Sequence, residues 1–289
     1  MKLGLATSAL VLVFIAFLSP ARPVSATGPY WFQVGAFMQS ATRADVTGAS
    51  VQIRTRVPSY NPNAYTSYWV GLVLSNGAFV QVGYVSWPAN AGYPQRFWEY
   101  FPPNGADIGD GFHGDSNGAP VGPNDTWYTY SIESKGNTWY AYINGILDGS
   151  YDLGASNSGG NAPYAVAEVE QAYDTNIPLG PVEFRELEYR DMNNLWYNVS
   201  AAVAWMGYGL GSGTPPTGMN FPYGLEVIGN NDWIAGTGLP PTYNNTSIWT
   251  NSAAAPEFSV TSAHALIVSL YPTATLLRKF PKGRRDARS

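Results

Sequence analysis

The stretch that most constrains this chain runs from Ser67 to Asn104, SYWVGLVLSNGAFVQVGYVSWPANAGYPQRFWEYFPPN. Three aromatic-rich apolar runs are broken by Ser75-Asn76-Gly77 and by a Pro/Ala/Asn/Gly segment at 88–92. Asn-Gly between two strand-like runs is a strong local hairpin signal, because both residues tolerate the positive φ that a tight reversal needs. Within these runs Gln81 sits between Val80 and Val82, and Glu99 between Trp98 and Tyr100. A buried amide or carboxylate without a partner is costly, so each must find one or have a chemical task.

The remaining chain has the same texture. Ala49 to Val57 alternates, with Val51, Ile53, Thr55 and Val57 on one face and Gln52, Arg54 and Arg56 on the other, as in a half-exposed antiparallel strand. Strands are expected at Tyr30–Met38, Trp127–Glu133, Thr138–Ile143, Ile146–Leu153, Tyr164–Gln171, Val182–Tyr189 and Trp196–Tyr208, with turns at 134–137 and at Asn144-Gly145. Some ten short strands lie between 30 and 208, with no convincing helix. The expected fold is an all-β, antiparallel jelly-roll β-sandwich over 27–208. Residues 209–251, with a strand-like piece at Tyr223–Ile228, either complete it or form a small appendage.

The ends read differently. Lys2, the apolar Leu3–Leu18 and the small-residue site Val24-Ser25-Ala26 predict a signal peptide over 1–26 and an extracellular location. Residues 252–289 are expected to form a loosely structured tail. There, a moderately apolar 260–277 precedes Arg278, Lys279, Lys282, Arg284, Arg285 and Arg288, so membrane contact is expected only if this segment is an anchor. His264 and Pro272 make it a marginal span.

Composition excludes several chemistries. There is no cysteine, which removes disulfides, thiolate metal sites and cysteine nucleophiles. His113 and His264 are the only histidines, too few for a His-rich metal centre or a Ser-His-Asp site. A net charge of −5 argues against nucleic acid as a partner. Asp107, Asp110 and Asp115 in a Gly-rich loop are read as turn chemistry rather than calcium ligands. No metal and no cofactor are expected.

Two resemblances stand on particular residues. TWYTYSIESKGNTWYAYINGILDGSYDLG at 126–154 resembles the central hairpin of concanavalin A-like lectin and laminin-G-type sandwiches. An ordered set over about 49–190 resembles the eqolisins, the secreted glutamic peptidases. It comprises Val57-Pro58-Ser59, Trp69-Val70-Gly71, Val80-Gln81-Val82-Gly83, Phe97-Trp98-Glu99-Tyr100-Phe101-Pro102, and Tyr164 through Glu168-Val169-Glu170. This resemblance implies an acid-active endopeptidase acting on polypeptides through a Gln/Glu dyad. Gln81 would be the oxyanion donor, Glu168 or Glu170 the general base, Glu99 a supporting group, and Trp69, Trp98 and Tyr100 the cleft lining. The chain departs from the pattern in carrying Glu-x-Glu where the family has Glu-x-x-x-Glu, in leaving no room for a propeptide after Ala26, and in only loosely echoing the family's Trp-Gly-Gly at Trp31.

Two other functions remain open. One is a non-catalytic lectin-like module binding polysaccharide or cell-surface glycan through exposed aromatics. The other is a secreted glycosidase using Glu99 with Glu168, or Glu168 with Glu170, as paired carboxylates.

Overall fold

The computed structural model describes residues 30–38, 46–56, 64–86, 94–101, 122–153, 159–172, 177–210, 223–240 and 247–250. The expected signal peptide, the 106–121 loop with its aspartates and His113, Val57-Pro58-Ser59 and the 252–289 tail lie outside these residues, as does the side chain of Glu170.

The described residues form fifteen strands and no helix. In chain order they are β1 (Tyr30–Met38), β2 (Gly48–Arg54), β3 (Tyr65–Leu74), β4 (Phe79–Ser86), β5 (Gln95–Phe101), β6 (Trp127–Lys135), β7 (Thr138–Ile143), β8 (Ile146–Asp152), β9 (Gly160–Ala172), β10 (Val182–Arg190), β11 (Trp196–Asn198), β12 (Ala201–Leu210), β13 (Tyr223–Gly229), β14 (Asp232–Thr237) and β15 (Ser247–Thr250). Seven strands make one sheet in the order β15-β12-β1-β9-β3-β4-β5. Eight make the other, β13-β14-β10-β2-β6-β7-β8, and β11 pairs with β10 beside it. Every paired register is antiparallel, and the architecture is the expected jelly-roll sandwich.

Alternation builds the core. Phe32, Val34, Tyr68, Val70, Leu72, Val80, Val82 and Tyr84 of the first sheet are buried opposite Val51, Ile53, Tyr130, Ile132, Trp139, Ala141, Phe184 and Trp233 of the second. Rings bridge the layers, Tyr84 meeting Tyr130 at 6.2 Å and Tyr100 stacking on Tyr151 at 4.4 Å. Turn chemistry follows the sequence: Asn144 and Gly145 take φ values of 50° and 74°, as a two-residue hairpin between right-twisted strands requires.

One expectation is revised and one alternative is decided. Trp196–Tyr208 is not one strand. β11 ends at Asn198 in the eight-stranded sheet, and β12 begins at Ala201 in the seven-stranded one. The crossing is tied down by Val199, whose N–H donates to Leu187 O and whose carbonyl accepts from Trp249 Nε1. Of the two readings left open for 209–251, the described residues fit the first: β13 and β14 extend one sheet and β15 edges the other.

Candidate functional site

The register of the seven-stranded sheet decides which polar residues meet. Counting across β1, β9, β3 and β4, one row holds Gln33, Glu168, Ser67 and Val85. The row two residues along holds Gly35, Val166, Trp69 and Gly83, continuing to Phe97 on β5. The next holds Phe37, Tyr164, Gly71, Gln81 and Glu99. Side chains two apart share a strand face. All three rows therefore lie on one face, the face turned away from the eight-stranded sheet.

Glu168 is the hub of the first row. Its Oε1 accepts from Gln33 Nε2 at 2.9 Å, and its Oε2 accepts from Trp69 Nε1 at 2.7 Å and Ser67 Oγ at 3.3 Å. Gln33 Oε1 in turn accepts from Trp205 Nε1 at 3.0 Å. An indole N–H can only donate, so Trp205 sets the Gln33 amide with its oxygen toward the indole and its NH2 toward Glu168. Gln33 is 2% exposed and Glu168 5%.

Gln81 and Glu99 form a second pair four residues further along. They sit opposite each other on β4 and β5, and the Gln81 amide donates to Glu99 Oε2. They are 4% and 2% exposed. Gln81 Oε1 meets no donor among the described residues.

The expected dyad of Gln81 with Glu168 does not assemble. Gln81 pairs through Gly71 with Tyr164, which is four positions from Glu168 on β9. Four residues along and two strands across correspond to roughly 13 Å and 10 Å, a Cα separation of about 16 Å. Each residue is engaged locally instead, Glu168 by Gln33 and Gln81 by Glu99. Glu99 is thus the direct partner of Gln81 rather than a support for Glu168.

Of the expected cleft aromatics, Trp69 lies on this face, in the row between the two pairs. Its indole N–H holds Glu168, and its ring packs edge-on against Tyr164 at 5.2 Å and Phe79 at 5.5 Å. Trp98 and Tyr100 occupy alternate positions of β5 and face the sandwich interior. Tyr100 stacks on Tyr151, and a Cβ added to Gly149 of β8 would strike the Trp98 indole. The glycines of the motifs are sterically required. A Cβ on Gly71 would lie 2.6 Å from the Phe79 ring, and one on Gly83 would lie 2.6 Å from Trp69 Cβ and run into Tyr68 O.

Glu170 follows two positions after Glu168 and pairs with Tyr65 through its backbone. Glu183, Glu186 and Glu188 belong to β10 of the other sheet, so they form no common acidic surface with Glu168. Gln33, Ser67 and Trp205 escaped the sequence reading. Gln33 carried the same signal that singled out Gln81, a polar side chain inside an apolar run, YWFQVGAFM.

No family model and no curated protein matches the chain. Among solved structures the fold is similar to scytalido-glutamic peptidase with a transition-state analogue inhibitor, at 13% identity over 73% of this chain and 98% of that one, with a TM-score of 0.47. It is similar to SCP-B, a member of the Eqolisin family of peptidases in complex with the tripeptide Ala-Ile-His, at 12% identity, 73% and 98% coverage and a TM-score of 0.42. It is also similar to the β-glucanase of Bacillus licheniformis, at 12% identity, 53% and 64% coverage and a TM-score of 0.30. Peptidases and glycosidases thus both appear among the neighbours. The sandwich stands on its own strand order and registers.

Proposed function

We propose that this chain is a secreted, acid-active hydrolase of peptide bonds that works through Glu168 and Gln33. The observation that carries the reading is the direct amide-to-carboxylate contact between these two residues, oriented by Trp205 on one side and Trp69 on the other. Glu168 acts as general base: it takes a proton from a water whose oxygen attacks the scissile carbonyl carbon. The second N–H of the Gln33 amide donates to the oxyanion that develops, a fixed dipole aimed at charge that appears only in the tetrahedral state. Glu168 then returns its proton to the leaving nitrogen as the C–N bond breaks. Lys2, the apolar Leu3–Leu18 and Val24-Ser25-Ala26 support secretion.

The deciding assay is cleavage of an unfolded protein across about pH 2 to 7 by wild type, Glu168→Gln, Gln33→Leu and Gln81→Ala. Each catalytic group contributes of the order of 10²-fold or more, so both Glu168→Gln and Gln33→Leu reduce turnover by at least that factor. Absence of cleavage by folded wild type at every pH overturns the reading and leaves the glycosidase and the glycan-binding module.

A glycosidase is the second reading, and register narrows it to one pair. Glu99 and Glu168 are four residues and three strands apart, about 19 Å between Cα atoms, against the roughly 5–10 Å that paired carboxylates need. Glu168 and Glu170, about 7 Å apart along β9, remain. Release of reducing sugar from a β-glucan by wild type but not by Glu168→Gln or Glu170→Gln would favour it.

A further inference from the structure

The Gln81–Glu99 pair has no part in the chemistry assigned to Gln33 and Glu168, yet it is built like a receptor. Gln81 is nine-tenths buried, its amide is committed to Glu99 Oε2, and its carbonyl oxygen meets no donor among the described residues. With the Gln81 NH2 turned to Glu99, its oxygen is left looking for an N–H or O–H.

The walls beside this pair are aromatic. Phe79 and Phe101 are register partners two positions along from Gln81 and Glu99, and their rings stack at 5.8 Å. Phe79 also stacks on Tyr164 at 5.6 Å, and Trp69 closes on both edge-on. Phe79 and Phe101 are partly exposed, so this wall reaches solvent. Gly71 opposite Gln81 has no side chain, and the Phe79 ring lies over it and reaches Tyr164. A carboxylate, an amide oxygen lacking a donor and a wall of π faces together select a cationic group carrying N–H donors on an apolar stem.

We propose that Gln81 and Glu99 form a specificity subsite for a lysine or arginine side chain of an extended peptide substrate. The cationic head donates to Gln81 Oε1 and pairs with the Glu99 carboxylate, while the stem lies along Phe79 and Phe101. This rests on the peptidase reading of the same face. The subsite is roughly 16–19 Å from Glu168, and a basic side chain spans about 6 Å of that. At about 3.3 Å per residue of extended chain, the basic residue sits three or four positions from the scissile bond. A net charge of −5 favours the approach of basic peptides.

The test is fluorescence anisotropy with labelled nonapeptides that differ at one position, carrying lysine, arginine, norleucine or citrulline. Wild type and the Glu168→Gln variant are both titrated. At a single position lysine and arginine bind at least tenfold more tightly than norleucine and citrulline, and Gln81→Leu and Glu99→Gln each bring that ratio toward one. Equal binding of all four residues at every position overturns the subsite. So does a basic preference that is the same at every position, since it reports bulk charge, or one that survives both substitutions. If either variant fails to fold by near-ultraviolet circular dichroism, the position-specific preference of wild type alone decides. A position-specific preference in a protein that cleaves nothing retains the subsite and removes only the peptidase reading. Cleavage with no such preference does the reverse.

Discussion

Gln33 and Glu168 face each other across β1 and β9, with the amide of one donating to the carboxylate of the other at 2.9 Å. Neither residue has room to move: Trp205 holds the far side of the Gln33 amide, and Trp69 and Ser67 hold the second oxygen of Glu168. The arrangement is a chain of donors running from one indole through an amide into a carboxylate.

Removing the amide therefore has two consequences. Gln33→Leu removes the amide that donates to Glu168 Oε1 and the oxygen that accepts from the Trp205 N–H. The expected cost is about 1–3 kcal/mol of stability, the range for removing one partner of a buried hydrogen bond. Urea denaturation measures it, and an unchanged midpoint would show that the contact does not persist in solution.

Trp69 separates hydrogen bonding from packing. Trp69→Phe keeps an aromatic body against Tyr164 and Phe79 and loses the donor to Glu168, an expected loss of about 1–2 kcal/mol. Trp69→Ala also opens a cavity beneath both rings and costs about 3–5 kcal/mol. On the peptidase reading both variants lose turnover. Equal stabilities for the two would mean that the ring contributes little packing.

The glycines make a sharper comparison. Gly83→Ala places a methyl against the Tyr68 carbonyl and Trp69 Cβ, and backbone cannot move aside there as a side chain can. About 3 kcal/mol of destabilisation is expected. At Gly160 the nearest atoms to an added Cβ stand at 3.4 Å, an ordinary contact, so Gly160→Ala should change stability by about 0.5 kcal/mol or less. Thermal midpoints of the two variants check the contrast.

The eight-stranded sheet carries a pH signature. Burial raises the Glu188 carboxyl above the ordinary glutamate value, and the neighbouring Glu186 charge raises it further. Burial likewise raises Asp232, with Glu183 and Glu186 adding to the rise and Arg185 opposing it. A carboxyl with a raised pKa keeps its proton in the folded state where the unfolded chain has released it. Folding then takes up protons, and these two groups make stability fall as pH climbs from the ordinary carboxylate value through the raised one. Glu186→Gln removes a charge that raises both groups, so the decline becomes shallower in the variant. Urea midpoints between about pH 4 and 7 reveal this as a difference between the two curves, and parallel curves would contradict it.

Much of this molecule was readable from residue order. Asn144-Gly145 and the Ser134–Asn137 turn lie where turn chemistry put them, because positive φ is a local property of Asn and Gly. The alternation of Val51 and Ile53 with Gln52 and Arg54 declared the buried face of β2, since burial on a strand has a period of two. The same reasoning marked Gln81, Glu99 and Glu168 as polar groups in apolar surroundings, and all three are buried. Even so, the break between β11 and β12 was missed, because Asn198 and Ser200 are its only mark within the otherwise apolar Trp196–Tyr208 and no Gly or Pro stands with them.

By itself, the sequence determined the all-β class, most of the strands and three of the buried polar residues that need explaining. Only the tertiary structure decided which of those residues meet. Partnership in a sheet is set by strand order and register, and neither is local. β9 lies between β1 and β3, so Glu168 finds Gln33 at 2.9 Å, from a strand 135 residues away in the chain. The four-residue offset between the rows sends Gln81 to Glu99 instead.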